Sequence, residues 1–224
     1  MRKAKTQKYK APFITFEGID GSGKSVQAEL LAKNLKKRGF SVSLLREPGD
    51  TSLSEQIRNL LLDKSNTQMH SHTELCLYEA ARAQIISEKI DPALNRGVVV
   101  ICDRFADSTT AYQGYGRELP IEIILQINRF ICGDTVPDRT FFLDITADLS
   151  LSRKSHMGEA ADRMEKQTLS FFERVRNGYM DIAKQDSTRI KVLDGSISIK
   201  KLEQLILKDV LLLLKQFNLK SPIE

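Results

Sequence analysis

Eight consecutive residues constrain this chain more than any others: Gly18-Ile19-Asp20-Gly21-Ser22-Gly23-Lys24-Ser25, which fits the pattern GxxxxGK[ST]. From ordinary glycine usage, chance would place that pattern in a chain of this length about once in a hundred. Its context makes coincidence rarer. Pro12–Glu17 is a β-branched and aromatic run that predicts a strand. Ser25–Arg38 has helical spacing of Val26, Leu30, Leu31 and Leu35 and is closed by Gly39. Glycines between a strand and a helix turn successive backbone N–H groups around phosphate oxygens, at a helix end whose dipole favours anions. Lys24 is then expected to reach the β- and γ-phosphates of a nucleotide, and the Ser25 hydroxyl to ligate Mg²⁺.

The pattern downstream predicts alternating strands and helices. Strands are expected at Ser41–Leu45, Gly97–Cys102, Thr140–Ile145 and Arg189–Leu193. Helices are expected at Ser52–Leu62, Ser71–Ile90, Pro120–Ile131, from Asp148 through Arg153, Glu165–Lys184 and Ile199–Phe217. Such alternation predicts an α/β fold, a five-stranded parallel sheet with helices on both faces. Ligands bind beyond the carboxyl ends of such strands. That rule selects Gly18–Ser25, Arg46–Asp50, Asp103–Gly116 (read as a loop) and the segment after Ile145.

Charge and cysteine usage exclude several classes. Met1–Lys10 holds Arg2, Lys3, Lys5, Lys8 and Lys10 with no acid, which accounts for the whole net charge of +5. The basic residues form a tail, expected to be disordered over 1–11, and not the folded footprint a nucleic-acid partner needs. The single domain is expected at 12–218, with a short C-terminal tail at 219–224. No apolar run approaches the roughly 20 residues of a membrane helix, and the polar start predicts no signal peptide. The three cysteines, Cys76, Cys102 and Cys132, lack metal-site or disulfide spacing. A cytoplasmic protein with reduced thiols is expected. His70 and His72 are expected to face solvent.

A phosphate-binding loop alone does not separate kinases from switches or motors. Here the base-reading NKxD is absent, and no DxxG follows the loop. The third strand ends instead in Asp103-Arg104. Asp103 can hold the hydration shell of Mg²⁺, and Arg104 sets a permanent planar cation beside a transferring phosphate.

Six segments in order then resemble thymidylate kinases of the bacterial type, over about Phe13 to Gly195. They are Glu17–Ser25, Arg46-Glu-Pro-Gly49, Leu77-Tyr-Glu-Ala-Ala-Arg82, Asp103-Arg-Phe105 with Ser108, Ala111-Tyr-Gln-Gly114 with Gly116-Arg117, and Asp162-Arg-Met-Glu165. The resemblance implies a nucleoside monophosphate kinase architecture with a mobile lid at about 153–165, and a homodimer. It implies transfer of the ATP γ-phosphoryl group to dTMP, giving dTDP and ADP on the route to dTTP.

By the same resemblance Arg46 binds the acceptor phosphate, and Asp20 faces the acceptor's sugar hydroxyl and phosphate. Tyr78 and Arg82, four apart on one helix face, stack on thymine and donate to a base carbonyl. Ser108 and Thr109 meet the base edge from the loop, Tyr112 crowds a 2′-hydroxyl, and Gln113 is its polar neighbour. Gly114 and Gly116 keep that loop close to the ligand. Gly21 stands where some members carry a catalytic basic residue, so the lid is expected to supply it. Arg163 is the expected lid cation, with Arg153 second. Two departures stand out: Asp50 replaces a glycine usual after Arg-Glu-Pro-Gly, and the lid is poor in arginine. Two other readings stay open, a kinase for another nucleotide or deoxynucleoside and a non-catalytic nucleotide-binding regulator.

Lys24→Ala is expected to abolish phosphoryl transfer while leaving the melting temperature near that of the parent, because a loop cation contributes little to stability. Near-parental turnover in a transfer assay would remove Gly18–Ser25 as the working phosphate site.

Overall fold

The computed structural model describes residues 9–157, 163–164 and 167–219, with the backbone alone described over 154–157. Five parallel strands form one sheet: β1 (Phe13–Glu17), β2 (Val42–Arg46), β3 (Val99–Asp103), β4 (Arg139–Asp144) and β5 (Ile190–Asp194). Their order is β2-β3-β1-β4-β5. The chain builds outward from β1 on one side and then on the other. The crevice beyond the carboxyl end of β1 is therefore the place where connections diverge, the standard position for a ligand. Register delivers the ends together: Arg46 pairs with Asp103, Phe16 with Asp103, and Glu17 with Phe142.

All five β1 residues are buried because helices cover both faces. Ile14 and Phe16 pack with Phe141 and Leu143 beneath α1 (Lys24–Lys37) and α9 (Ile199–Gln216), through Leu31, Leu35, Ile206 and Val210. Phe13, one residue out of phase, faces the other way. There it meets Val100 and Phe105 with Ile85 of α3 (Ser71–Ile85) and Leu94 of α4 (Asp91–Asn95). A π-helical turn, Ile86–Ile90, joins those two helices. Phe142 packs beside Phe171, Phe172 and Tyr179 of α8 (Leu169–Gln185). The remaining helices are α2 (Ser52–Leu62), α5 (Ala106–Thr109), α6 (Ile121–Cys132) and α7 (Ala147–Met157).

Strand and helix positions agree with the periodicity to within a few residues, with three corrections. The expected loop after Arg104 is helical: α5 runs into a π-helical segment, Thr110–Gly116. Short polar residues and glycines read locally as a loop, but packing against α8 overrides that preference. A Cβ on Gly116 would lie 2.7 Å from the Phe171 ring and 2.8 Å from Val175. Gly116 thus keeps helix against helix, and Gly114, whose Cβ would meet Ile121 at 2.5 Å, does the same toward α6. Both glycines therefore have a helix-packing role that the linear pattern did not suggest.

The second correction is that α8 starts at Leu169, where the Thr168 hydroxyl accepts the Phe171 N–H at 3.3 Å as its cap. The third concerns the termini. Tyr9 and Ala11 are buried, and the Tyr9 hydroxyl donates to Asp91 at 2.7 Å and meets Thr135 at 2.9 Å. At the other end Leu219 packs against the α1–α9 core. The described fold therefore includes Tyr9 to Ala11 and Leu219 of the expected tails; residues 1–8 and 220–224 lie outside the described residues. So do residues 158–162 and 165 of the expected lid.

Removing residues 1–8 should leave the melting temperature and turnover unchanged. Tyr9→Ala should cost about 3 kcal/mol, as for other buried aromatics, and Tyr9→Phe about 1 kcal/mol for the lost hydroxyl bond. Chemical denaturation of the three variants checks the boundary.

Candidate active site

The glycine-rich turn leaves β1 and enters α1 directly. Gly18 approaches the β4 backbone so closely that a Cβ would lie 2.7 Å from the Leu143 carbonyl oxygen, at a φ of +142° that side chains rarely adopt. Lys24 is buried and its ammonium donates to the Ile19 carbonyl at 3.0 Å, folded back over the loop. Burial, with Arg104 nearby, pulls its pKa down to about 8. Among the described residues the buried Ser22 hydroxyl has no hydrogen-bond partner.

Ser25 donates to Asp103 Oδ2 at 2.5 Å, joining α1 to the end of β3. The second Asp103 oxygen is buried and has no hydrogen-bond partner. A hydroxyl and a carboxylate with an unused oxygen, at the mouth of a phosphate loop, fit a hydrated Mg²⁺. Among the described residues no cluster of three His, Cys, Asp or Glu forms a protein-only metal cage.

Arg104 has a φ of +74°, unusual for a side-chain-bearing residue. Hydrogen bonds hold the turn: Arg104 N–H donates to the Phe16 carbonyl at 2.9 Å and Phe105 N–H to Glu17 at 2.7 Å. The guanidinium then spans the site. It donates to Asp20 at 2.6 Å, to the Gly18 carbonyl at 3.0 Å and to the hydroxyls of Tyr112, Ser108 and Tyr179 at 3.1–3.3 Å. It also lies 4.9 Å from the centre of the Tyr112 ring. Glu17 receives Ser108 at 2.6 Å and Tyr179 at 2.9 Å, and burial pushes its carboxyl up to about 7.

Beside this cluster lies a cleft open to solvent, with several polar and aromatic side chains along its walls. Asp20, Tyr78, Arg82, Arg104, Ser108, Thr109, Tyr112 and Gln113 all line it, so the fold gathers most of the expected acceptor residues from five segments: the phosphate loop, α3, the turn after β3, α5 and the π-helical segment. Arg82 is held firmly: Nε donates to Glu47 at 2.8 Å, and Nη1 to Glu79, to Thr109 at 2.9 Å and to Asn128 at 3.3 Å. Glu47 is itself pushed up to about 7 by burial, against the pull of Arg82.

Two expected residues, Arg46 and Arg163, stand apart from the cleft, and Asp50, the departure from the family pattern, sits beside the first. Arg46 turns to Glu55 at 2.8 Å, with its side chain partly exposed, and does not line the cleft. Asp50 fills a backbone place with φ +63°, where glycine is favoured, and its carboxylate accepts the Arg46 N–H at 2.6 Å. Arg163 is buried between the Leu61 carbonyl, at 2.8 Å, and Glu74, at 2.7 Å, away from the phosphate loop. Arg153, by contrast, donates to the Gly21 carbonyl at 3.0 Å and to the Gly195 carbonyl at 3.1 Å. Arg58 and Leu62 line the cleft without any sequence pattern to announce them, and Glu47 and Met164 line it from within matched motifs in which they had been given no role. Glu17 stood inside a matched motif, yet only its long-range partners reveal its work.

Because Lys24 titrates near 8, the protonated ammonium that attracts phosphate is complete below that pH and lost above it. ATP affinity is expected to be flat below about pH 8 and to fall by up to about tenfold per unit above it, with the slope absent in Lys24→Met. Calorimetric titration across pH 7–10 tests this.

The thymidylate kinase family profile matches residues 16–206. Relatives named thymidylate kinase include one from Kosmotoga olearia, 43% identical over 92% of this chain and 98% of its own length. Another, from Symbiobacterium thermophilum, is 45% identical over 86% and 89%. The crystal structure of a thymidylate kinase from Ehrlichia chaffeensis superposes with a TM-score of 0.73 at 37% identity, covering 90% of this chain and 98% of that one. The matches run through both the phosphate loop and the residues of the cleft, and the chain belongs to the thymidylate kinase family.

Proposed function

We infer that the protein transfers the γ-phosphoryl group of ATP to dTMP, giving ADP and dTDP. The observation that carries this reading is the Arg104 guanidinium, fixed between the phosphate loop at Gly18 and Asp20 and the wall of the cleft at Ser108 and Tyr112. A cation in that place serves two phosphates, one on each side, which neither a hydrolytic switch nor a deoxynucleoside kinase requires.

The acceptor phosphate is already anionic at neutral pH, so no strong general base is needed. Catalysis rests on in-line positioning and charge neutralisation. Gly18 to Ser25 hold the donor phosphates through backbone N–H groups and Lys24. Ser25 and Asp103 would hold Mg²⁺, which would supply positive charge beside the donor phosphates. Arg104 stabilises charge on the transferring group, and Asp20 orients both Arg104 and the acceptor. Tyr78 stacks on the base, Arg82, Thr109 and Gln113 meet its edge, and Tyr112 packs against the deoxyribose.

Arg153 lies ready beside the donor site through Gly21. Arg46 and Arg163 serve the phosphates only after leaving Glu55 and Glu74, so their proposed roles as acceptor-phosphate ligand and lid cation require those pairs to open. We place the enzyme in the cytoplasm; among the described residues no helix is long and apolar enough to cross a membrane. A homodimer is supported by apolar exposure on neighbouring helices: Leu53 and Leu60 on α2 and Phe130 on α6, with α3 between them.

A panel of monophosphate acceptors with ATP and Mg²⁺ should show dTMP as the preferred substrate. Arg104→Ala should lower kcat by about 10²–10³-fold, as for loss of one transition-state donor. Arg104→Lys should recover only part, lacking the planar fork. Preference for an unphosphorylated nucleoside, or an Arg104→Ala kcat within a few-fold of the parent, would defeat the reading.

A further inference from the structure

Glu74 is a buried carboxylate on α3 that matched no motif, and four bonds converge on it. Gln113 Nε2 donates to Oε1 at 2.9 Å, Arg117 Nε to Oε1 and Nη2 to Oε2, both at 3.0 Å, and Arg163 Nη1 reaches Oε2 at 2.7 Å. Burial opposes its charge, but these donors together hold the carboxyl below the usual glutamate range. Ionised, it offers acceptors only.

That restriction has a consequence inside the cleft. The end of the Gln113 amide that faces Glu74 must be the nitrogen. The carbonyl Oε1, which has no partner among the described residues, is left for the cleft that Gln113 lines. On the same cleft Arg82 has Nε and Nη1 committed to Glu47, Glu79, Thr109 and Asn128, leaving Nη2 as a donor. An acceptor and a donor together complement a base edge that carries a ring N–H beside a carbonyl, as uracil and thymine do at N3 and C4. Cytosine presents the reverse, a bare ring nitrogen beside an amino group.

We propose that Glu74 is the positioning residue for base discrimination: by locking the Gln113 amide in one orientation it makes the cleft read the N3–H edge and reject cytosine. The proposal rests on the acceptor being a pyrimidine monophosphate bound in this cleft. Glu74 itself touches no substrate. The 5-methyl group neither donates nor accepts a hydrogen bond, so reversing the Gln113 amide leaves discrimination between thymine and uracil unaltered.

The test uses the full chain with ATP and Mg²⁺ and measures kcat/KM for dTMP, dUMP and dCMP. In Glu74→Gln the new amide can keep its oxygen for Arg117 and present its nitrogen to Gln113, which then turns over. The dUMP:dCMP ratio should fall at least about tenfold, the scale of a mismatched buried hydrogen bond, while the dTMP:dUMP ratio stays within twofold. Arg117→Met, which removes an ion-pair partner but leaves the Glu74–Gln113 bond, should lower the melting temperature without moving either ratio. Should Glu74→Gln not fold, Glu74→Asp decides: its shortened carboxylate should lower the dUMP:dCMP ratio and spare dTMP:dUMP. An unchanged dUMP:dCMP ratio in the folded variant, or an equal fall in both ratios, overturns the proposal. Failure of the functional reading looks different, since the parent protein itself would then show no preference for dTMP.

Discussion

The candidate site depends on one buried carboxylate, Glu17, at the carboxyl end of the central strand. It receives the Phe105 N–H, the Ser108 hydroxyl and the Tyr179 hydroxyl. Through them it binds β1 to the turn after β3, to α5 and to α8. The strained backbone of Arg104 sits within that frame. Strain of this kind costs on the order of 1–3 kcal/mol and persists only where the surroundings over-determine it. The carboxylate thus aims the guanidinium between the two halves of the site, one made by the phosphate loop and the other by the cleft.

Around that frame the cleft is built from buried ions. Arg82 lies between Glu47 and Glu79, Glu74 between Arg117 and Arg163, and Arg189 pairs with Asp107 below. Pairs of this type gain little net stability, because desolvation offsets much of the attraction. Their value is directional. Each guanidinium or carboxylate has a fixed set of donors or acceptors, so satisfying all but one of them determines what the last atom must accept. Apolar packing supplies the opposite property: the Phe171–Val175 face of α8 holds the π-helical segment by shape, through contacts that leave no room for a Cβ at Gly116.

The same contrast explains how much was legible in the linear chain. The phosphate loop, the strand before it and the helix after it depend on residues adjacent in sequence, and periodicity placed them within a residue or two. Parallel topology follows from strand–helix alternation, and the carboxyl-edge rule then located the cleft. Arg104, Asp20, Tyr112, Tyr78, Arg82 and Gln113 were nameable because each occupies a motif at that edge.

What the sequence determined by itself is therefore what short-range geometry determines: the α/β class, the phosphate cradle, the family, and which side chains arrive at the sheet's carboxyl edge. Tertiary structure alone decided that residues 106–116 are helical, since packing on α8 outweighs their local preference for a loop. It alone turned Arg46 to Glu55 and Arg163 to Glu74, and gave Glu17 and Glu74 their partners. Those contacts join residues 9 to 162 positions apart. A charged side chain chooses among all the partners the fold brings within reach, and no local pattern records which of them is nearest.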